Sequence, residues 1–277
     1  MTKVFTKTEP LISYLKNKKE IGFVPTMGNL HDGHLSLLKM ALQENDIAVL
    51  SIYINPTQFD DHNDLMSYPR SFAEDVKRAR SIVKDTSSLI IFHPESDLEI
   101  YPQNKSLIPA VGPIDLFEGA IRPGHFDGMA TVVHRLFEIV RPKRAYFGKK
   151  DYQQLLIVQN LATQYFPTLK IIPVETERNS MGLALSSRNS RLDPKQMEEA
   201  LTLRNTMIKL RKDLQESKNI GHIQELIKEI LAKDSRFNYL ALVAAKSLLT
   251  PQSLTEKLVI LGNFQISDIR LLDNLEI

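Results

Sequence analysis

Short apolar runs alternate with longer amphipathic segments over the first two thirds of the chain. The apolar runs fall at 21–24, 47–54, 88–93, 145–147 and 169–174. Runs of this kind, apolar on both faces, are typical of central strands in a covered parallel sheet. The segments between them carry apolar residues at helical spacing, as Leu35, Leu38 and Leu42 do. The alternation predicts a Rossmann-like α/β fold with a doubly wound parallel sheet.

Local signals place the helices and loops of this part of the chain. Helices are predicted at 8–19, 71–84, 129–140 and 151–165, and loops at 60–68 and over most of 94–123. Thr8 followed by Pro10 is typical of an N-cap with an early helical proline. Ser71 and Glu74 have the spacing of a capping box. A loop as long as 94–123 in a compact domain is commonly functional.

The pattern changes near Glu175, where a polar stretch at 179–189 predicts a hinge or an active-site loop. Asp193 followed by Pro194 predicts the start of a long helix that ends before about residue 219, and a second helix is expected to run from 221 to 233. Three alternating segments then predict antiparallel strands at 239–244, 258–262 and 269–272. We therefore predict two domains: residues 1–176 form the Rossmann-like domain, and residues 177–277 form an α+β domain that closes over the active site.

Composition narrows the class of protein. The chain has 277 residues, of which 43% are hydrophobic, and its formal net charge is only +2. This near balance argues against nucleic acid as the main partner. The chain has no cysteine, which excludes disulfides, thiolate nucleophiles and cysteine-based metal sites. No leader pattern or long apolar run is present, so we expect a cytoplasmic enzyme without a membrane segment.

The stretch 21–41 is the most informative single element. It predicts a buried strand, a tight turn with Gly28 and Gly33, and then a helix. A helix that begins after such a turn directs unpaired backbone N–H groups and the positive end of its dipole at the turn, which makes an anion site. His31 and His34 lie there at i, i+3 spacing. Zinc binding is less favoured, because zinc helices usually space their histidines i, i+4.

Polar side chains also follow other predicted strands. Asn55 and Gln58 come directly after the strand at 47–54, at the edge of the sheet where ligands bind in open α/β folds. The stretch 147–154 places a glycine and two lysines at another junction between a strand and a helix. This junction and the turn with the two histidines are both expected at the carboxyl ends of strands, where they can converge on one site.

Three further features leave alternatives open. Arg188 in the polar stretch 185–189 suits bidentate phosphate contact, although an interdomain linker explains the stretch equally well. Arg122 and His125 lie on a glycine-rich stretch that either closes over a ligand or simply forms a turn. Glu74 and Asp75 suit a hydrated Mg²⁺, but helix capping is the favoured interpretation.

Taken together, these motifs resemble the pantoate–β-alanine ligase family. The matching stretches follow the order of the family along the chain and lie at 24–34, 55–59, 68–70, 122–126, 141–142, 148–154 and 182–189, with a weaker match at 269–274. The pair of histidines flanking Gly33 by itself indicates only the wider superfamily of nucleotidyltransferases. Its combination with the other motifs makes the resemblance specific.

The resemblance implies an enzyme that condenses pantoate with β-alanine at the expense of ATP. The reaction passes through a pantoyl adenylate and releases AMP and pyrophosphate. It implies an ATP site formed by Met27, Gly28, Asn29, Leu30, His31, Asp32, Gly33, His34, Gly148, Lys149, Lys150, Asp151, Glu177, Leu185, Ser186, Ser187 and Arg188. Among these, the catalytic roles fall to His34, His31, Lys150 and Arg188, with His34 as the family's proton donor. The substrates are expected at Gln58, Gln154, Asn55, Arg122 and His125. Mg²⁺ is expected to accompany the ATP phosphates, through ligands that the sequence does not identify, and a homodimer is expected.

Two positions depart from the family pattern. Lys149 stands where the family usually has glutamate, and Met181 stands where it usually has aspartate. Both positions fall in the loops expected to bind ATP. Two other functions stay open at this point, an adenylyltransferase on the same fold and a non-catalytic module that binds nucleotide or RNA.

Overall fold

The computed structural model describes residues 2–60, 62–85, 87–102 and 106–277. The chain divides into two compact units. The first comprises Met1–Lys149 and Gln154–Glu175, and the second comprises Lys150–Gln153 and Thr176–Ile277. The short segment Lys150–Gln153, called the crossing segment below, therefore belongs with the second unit, although it precedes the predicted boundary. That the second domain closes over an active site stays a prediction.

The first unit is built on a six-stranded parallel sheet. In chain order its strands are β1 (Lys3–Phe5), β2 (Ile21–Thr26), β3 (Ile47–Ile52), β4 (Leu89–Phe92), β5 (Arg144–Gly148) and β6 (Lys170–Val174). They lie in the order β1-β4-β3-β2-β5-β6, and every described pairing between them is parallel. This order reverses direction on either side of β2, so the doubly wound sheet predicted from the sequence is confirmed.

Helices cover the sheet and bury its two faces. In the first unit they are α1 (Thr8–Leu15), α2 (Asp32–Glu44), α3 (His62–Ser67), α4 (Phe72–Ser81), α5 (Phe117–Ile121) and α6 (His125–Val140), and α7 (Tyr152–Tyr165) begins within the crossing segment. Alternate residues of β2 serve the two faces: Phe23 packs in the cluster with Phe137, and Val24 packs in the cluster with Leu38. Both faces of the strand are therefore buried, which explains its continuous apolar pattern.

Several boundaries differ from the predictions. Strand β1 was not predicted, because it is an edge strand of three residues, of which two are exposed. The polar stretch 60–68 was predicted as a loop, yet His62–Ser67 is helical and buries none of its side chains; residue 61 lies outside the described residues. In α2 the buried residues are Leu37, Leu38 and Ala41, whereas Leu35 and Leu42 are half-buried.

Two predicted helix caps are also wrong. Helix α1 has Lys7 as its N-cap and ends at Leu15, so the basic residues 16–19 lie beyond it. At α4, Ser71 is the N-cap but makes no side-chain cap hydrogen bond. Instead its hydroxyl donates to the carboxylate of Asp75 at 3.2 Å. Glu74 therefore does not complete a capping box.

The second unit packs two helices on a three-stranded antiparallel sheet. Its elements are α8 (Pro194–Ser217), α9 (Ile220–Lys233), β7 (Phe237–Ala244), β8 (Leu258–Ile266) and β9 (Ile269–Glu276). The predicted start of α8 is confirmed, because Asp193 and Gln196 form a reciprocal capping box. Met207 of α8 and Ile260 of β8 are completely buried in the core of this unit. Among the described residues, no helix combines the length and apolar character that a bilayer crossing requires.

Candidate active site

The turn after β2 has an unusual backbone. Gly28 has φ +84° and Asn29 has φ +50°, both in the left-handed region. A Cβ at Gly28 would lie 3.0 Å from the carboxylate of Asp75, a tight contact that adds to the conformational preference for glycine. The hydroxyl of Thr26 accepts a hydrogen bond from the Gly28 N–H at 3.2 Å and donates to the Ser51 carbonyl of β3 at 2.7 Å. The turn is thereby tied to the carboxyl ends of two neighbouring strands.

Asp75 of α4 holds the same turn from the other side. Its carboxylate accepts hydrogen bonds from the backbone N–H groups of Asn29 at 3.0 Å and Leu30 at 2.7 Å. The residue is only 1% exposed. A buried carboxylate that accepts several donors fixes their positions strongly. Asp75 is therefore a support of the turn, a role that neither the magnesium nor the capping interpretation anticipated.

His31 and His34 come together at the start of α2. His31 is the N-cap, and its carbonyl accepts the first backbone hydrogen bonds of the helix from His34 and Leu35. The His31 N–H donates to His34 Nδ1 at 3.3 Å, and the two ring centroids lie 4.1 Å apart. Because Nδ1 of His34 accepts, the neutral ring carries its proton on Nε2. Two imidazoles thus lie side by side at the N-terminus of α2, and this combination of ring N–H groups and helix dipole suits a phosphate ligand.

A buried pair of amides follows β3. Asn55 is 1% exposed and caps a short 3-10 helix, Pro56–Gln58, by accepting from the Thr57 N–H. That backbone donor identifies the oxygen of the Asn55 amide, which also accepts from the Tyr101 hydroxyl at 2.9 Å. The Asn55 nitrogen consequently donates, reaching Gln58 Oε1 at 3.1 Å and the Gly128 carbonyl at 3.1 Å. The orientation of Gln58 follows from these contacts.

The nitrogen of Gln58 is directed at the turn after β2. Gln58 Nε2 donates to the thioether of Met27 at 3.1 Å. A thioether is a weak acceptor, so this hydrogen bond is easily exchanged for one to a stronger acceptor. Burial raises the pKa of Tyr101, which therefore remains a protonated donor to Asn55 at neutral pH.

Arg122 and His125 surround the backbone of Gln58. His125 Nδ1 contacts the Gln58 carbonyl at 2.6 Å, and the Arg122 guanidinium reaches the same carbonyl at 3.4 Å and His125 Nε2 at 3.2 Å. Arg122 is also paired with Asp60 at 2.7 Å. Both Arg122 and His125 are 9% exposed. Because both side chains contact the Gln58 carbonyl, they fix the position of Gln58.

Close packing of α6 completes this arrangement. A Cβ at Gly128 would lie 2.1 Å from the Thr57 carbonyl, so only glycine lets α6 approach the 3-10 helix. The structure thus brings Asn55, Gln58, Arg122 and His125 into one hydrogen-bonded group.

Gln154, the other amide expected to bind substrate, lies in the first turn of α7 and is half-buried.

The predicted lysine pair is divided between the two units. Gly148 ends β5, and Lys149 belongs to the first unit, where its ammonium pairs with the Glu175 carboxylate. Lys150 belongs to the second unit and pairs with Asp151 at 3.1 Å. The positive charge that Lys149 adds to the family pattern is thus balanced by a neighbouring acid.

In the second unit, local hydrogen bonds hold the stretch 177–189 in a turn. The Asn179 carboxamide oxygen accepts from the backbone of Met181 at 3.1 Å and Leu183 at 2.9 Å, and the Leu185 N–H donates to the Glu177 carbonyl at 2.9 Å. Met181 is exposed at the tip. Ser186 accepts from the Arg188 N–H at 3.2 Å, and Ser187 lies between them. Lys150 and Ser186 line the same small cavity.

The comparisons with known proteins agree with one another. The family model described as pantoate-beta-alanine ligase matches residues 3–276. The chain belongs to the pantoate–β-alanine ligase family. A pantothenate synthetase of Azobacteroides pseudotrichonymphae is 42% identical over 273 residues, covering 96% of this chain and 95% of the relative.

Solved structures of the family have the same fold. The crystal structure of pantothenate synthetase from Thermus thermophilus is similar with a TM-score of 0.90 and 36% identity, over 99% of each chain. The pantoate-beta-alanine ligase from Francisella tularensis, solved in complex with β-γ ATP and β-alanine, is similar with a TM-score of 0.78 and 32% identity. That comparison covers 100% of this chain and 98% of the Francisella chain. The resemblance inferred from the motifs is therefore confirmed, and so is the fold class.

The sequence reasoning missed the residues that support the expected site. Tyr101, Asp60 and the supporting role of Asp75 were not predicted, because each acts through a contact distant in sequence. Tyr101 lies 46 positions from Asn55, and Arg122 lies 62 positions from Asp60. Local periodicity carries no signal for such pairs.

Proposed function

We propose that this chain performs the condensation of its family in two steps. The activity is the ATP-dependent joining of pantoate and β-alanine. In the first step a carboxylate oxygen of (R)-pantoate attacks the α-phosphorus of ATP, the α–β phosphoanhydride bond breaks, and pyrophosphate leaves. In the second step the neutral amine of β-alanine attacks the acyl carbon of pantoyl adenylate, the bond from that carbon to the phosphate oxygen breaks, and AMP leaves while the nitrogen releases one proton to solvent as the amide forms. Because a carboxylate is already a nucleophile at neutral pH, catalysis depends on positioning and charge stabilisation.

One observation supports this assignment above the others, the contact between Gln58 and Met27. It places an amide donor from the group around Asn55 against the turn that leads into the two histidines. A small acid held by Gln58 is thereby adjacent to the expected phosphate turn. We infer that pantoate displaces the Met27 thioether as the partner of Gln58 Nε2, and that Gln154 contributes from α7.

The histidines are proposed to act on the phosphates. His34 acts as the donor: its Nε2–H donates a hydrogen bond to the phosphate oxygens on which negative charge increases at the transition state. His31 supports His34 from the N-cap position. The helix N-terminus adds its dipole to this effect. Loss of one such donor commonly lowers a rate by about 10²–10³-fold.

The remaining ATP contacts are proposed on the second unit and on the turn after β5. Lys150 and Arg188 contact phosphate oxygens, and the backbone at 185–187 and at Glu177 binds the rest of the nucleotide. Among the described residues no group of three or more histidine or acidic side chains could hold a metal ion. We therefore propose that Mg²⁺ enters as MgATP, bound to the phosphates of its substrate.

Arg122 and His125 have a narrower role in this proposal than the resemblance implied. Because both contact the Gln58 carbonyl, they hold the pantoate-binding amide in place. We also propose that the protein is cytoplasmic, that it forms a homodimer and that nucleic acid is not its partner. These three features rest on the family and on the near-neutral charge.

A turnover assay tests the proposal directly. The purified protein is supplied with MgATP and pantoate, with and without β-alanine, and AMP, pyrophosphate and pantothenate are followed. We expect about one equivalent of pyrophosphate per site without β-alanine, and continued turnover only when β-alanine is added. Repeated AMP release that ignores β-alanine would instead indicate an adenylyltransferase. The nucleic-acid alternative predicts RNA binding with no turnover at all.

A further inference from the structure

The stretch 269–274, the weakest of the family motifs, forms the edge strand β9 of the second unit. Two neighbouring polar residues on this strand, Asp273 and Asn274, are 6% and 7% exposed. Neither has a part in the reaction described above. Burial of two adjacent polar side chains at a sheet edge is costly unless their hydrogen bonds are satisfied.

Asn274 holds the crossing segment. Its side-chain nitrogen donates to the backbone carbonyl of Lys150 at 2.9 Å, a contact that spans 124 positions of sequence. Lys150 is the first residue of the four-residue segment that joins the second unit. Asn274 therefore fixes the backbone from which the Lys150 ammonium extends.

Asp273 holds the turn at 177–189. Its carboxylate makes a bidentate pair with Arg178, at 2.7 and 2.8 Å, and Arg178 also donates to the Gly182 carbonyl at 3.1 Å. The side chain of Asp273 is 5% exposed and that of Arg178 is 20% exposed. A buried bidentate pair specifies geometry more than it adds stability.

The two supports are linked to each other. Asp273 Oδ1 accepts from the backbone N–H of Asn274 at 2.8 Å, so the carboxylate is tied to the backbone of the residue whose carboxamide contacts Lys150. Asp273 and Lys150 also line one small cavity together with Ser186. Two segments that come from distant parts of the sequence are thus held against the same end of β9.

We propose that Asp273 and Asn274 are positioning residues for ATP use, which set the register between Lys150 and the loop that carries Ser186 to Arg188. This inference rests on the proposed role of Lys150 at the ATP phosphates. Asn274 acts on Lys150 through its backbone carbonyl, and Asp273 acts on the loop through Arg178. Neither side chain contacts the reacting atoms in this assignment.

The test compares Asn274→Ala with a matched control, Asn263→Ala. Asn263 is a buried asparagine of the same sheet, whose carboxamide oxygen accepts from Asn238. We expect Asn274→Ala to raise the KM for ATP, or to lower the single-turnover rate of adenylation, about two- to tenfold, the size of one lost hydrogen bond. The KM for pantoate should stay unchanged. Asn263→Ala should leave both values near those of the parent.

A double-mutant cycle with Lys150→Met separates positioning from general structure. If Asn274 acts through Lys150, the double variant Lys150→Met with Asn274→Ala is no worse than Lys150→Met alone. Multiplicative effects, or equal rises in the KM values for ATP and pantoate, would overturn the positioning role. If Asn274→Ala does not fold, Asn274→Asp, which keeps the shape of the side chain but removes the donor, replaces it in the same cycle.

The outcome also distinguishes the inference from the function on which it rests. An unchanged KM for ATP in Lys150→Met would overturn the proposed role of Lys150, and this inference with it. An impaired Lys150→Met beside an unaffected Asn274→Ala would overturn the positioning role alone.

Discussion

Replacement of Asp75 by asparagine should both destabilise the protein and impair its use of ATP. The carboxylate accepts from two backbone N–H groups of the turn and from the Ser71 hydroxyl. In Asp75→Asn one oxygen becomes an NH₂ group that faces a backbone donor. A buried N–H left without an acceptor costs about 1–3 kcal/mol, and the exchange of a charged acceptor for a neutral one costs about 1 kcal/mol more. We therefore expect a loss of about 2–4 kcal/mol in the free energy of unfolding.

This loss is large enough to measure by thermal unfolding. For domains of this size, a change of 1 kcal/mol shifts Tm by about 2–4 °C, so Asp75→Asn should lower Tm by roughly 5–15 °C. The turn that Asp75 holds contains Gly28 and Asn29, both with positive φ. Once it is released, the geometry proposed to bind phosphate relaxes, and we expect the adenylation rate at saturating pantoate to fall about ten- to hundredfold.

The adjacent residue supplies the control. Glu74 is half-exposed, with 54% of its side chain accessible, and it makes only surface pairs with Lys77 and Arg78. Such pairs contribute about 0–1 kcal/mol, so Glu74→Gln should leave both Tm and the adenylation rate close to those of the parent. The reasoning is refuted if Asp75→Asn lowers Tm no more than Glu74→Gln does.

The remaining predictions concern the residues expected to contact substrate. His34→Ala should lower the adenylation rate by about a hundredfold or more with little change in Tm, since it removes a charge-stabilising donor at a half-buried position; near-normal single-turnover adenylation would contradict that role. Lys150→Ala should raise the KM for ATP more than Lys149→Ala, because Lys149 is already paired with Glu175; the reverse order in steady-state kinetics would show that the turn is misassigned. Gln58→Glu should raise the KM for pantoate about tenfold or more by repulsion of its carboxylate, whereas Gln43→Glu, on the exposed face of α2, should not; equal KM values for the two would place pantoate elsewhere.

Local pattern was sufficient for every strand of the parallel sheet except β1, and it singled out the polar residues that are proposed to bind the substrates. The apolar runs located β2, β3 and β4 because strands buried on both faces leave a continuous signal, and they also located β5 and the edge strand β6, of which only Val174 is buried. It failed at α3, which buries no side chain and therefore has no periodic apolar face. It also failed at Asp75, where the spacing of Ser71 and Glu74 matched a capping box. Besides Ser71, Asp75 has two backbone partners, which lie 45 and 46 positions earlier in the chain.

The hydrogen bonds around Asn55 and Gln58 show how residues distant in sequence orient a donor that the local pattern does reveal. Thr57 and Tyr101 fix the oxygen of Asn55, Asn55 fixes the oxygen of Gln58, and the nitrogen of Gln58 is left on a thioether. Every contact in this series except the last has a strong acceptor. The weakest hydrogen bond therefore lies where the substrate is proposed to bind. The substrate gains a donor that is already oriented, while the strong contacts keep the rest of the group in place, which is the advantage of a preorganised site.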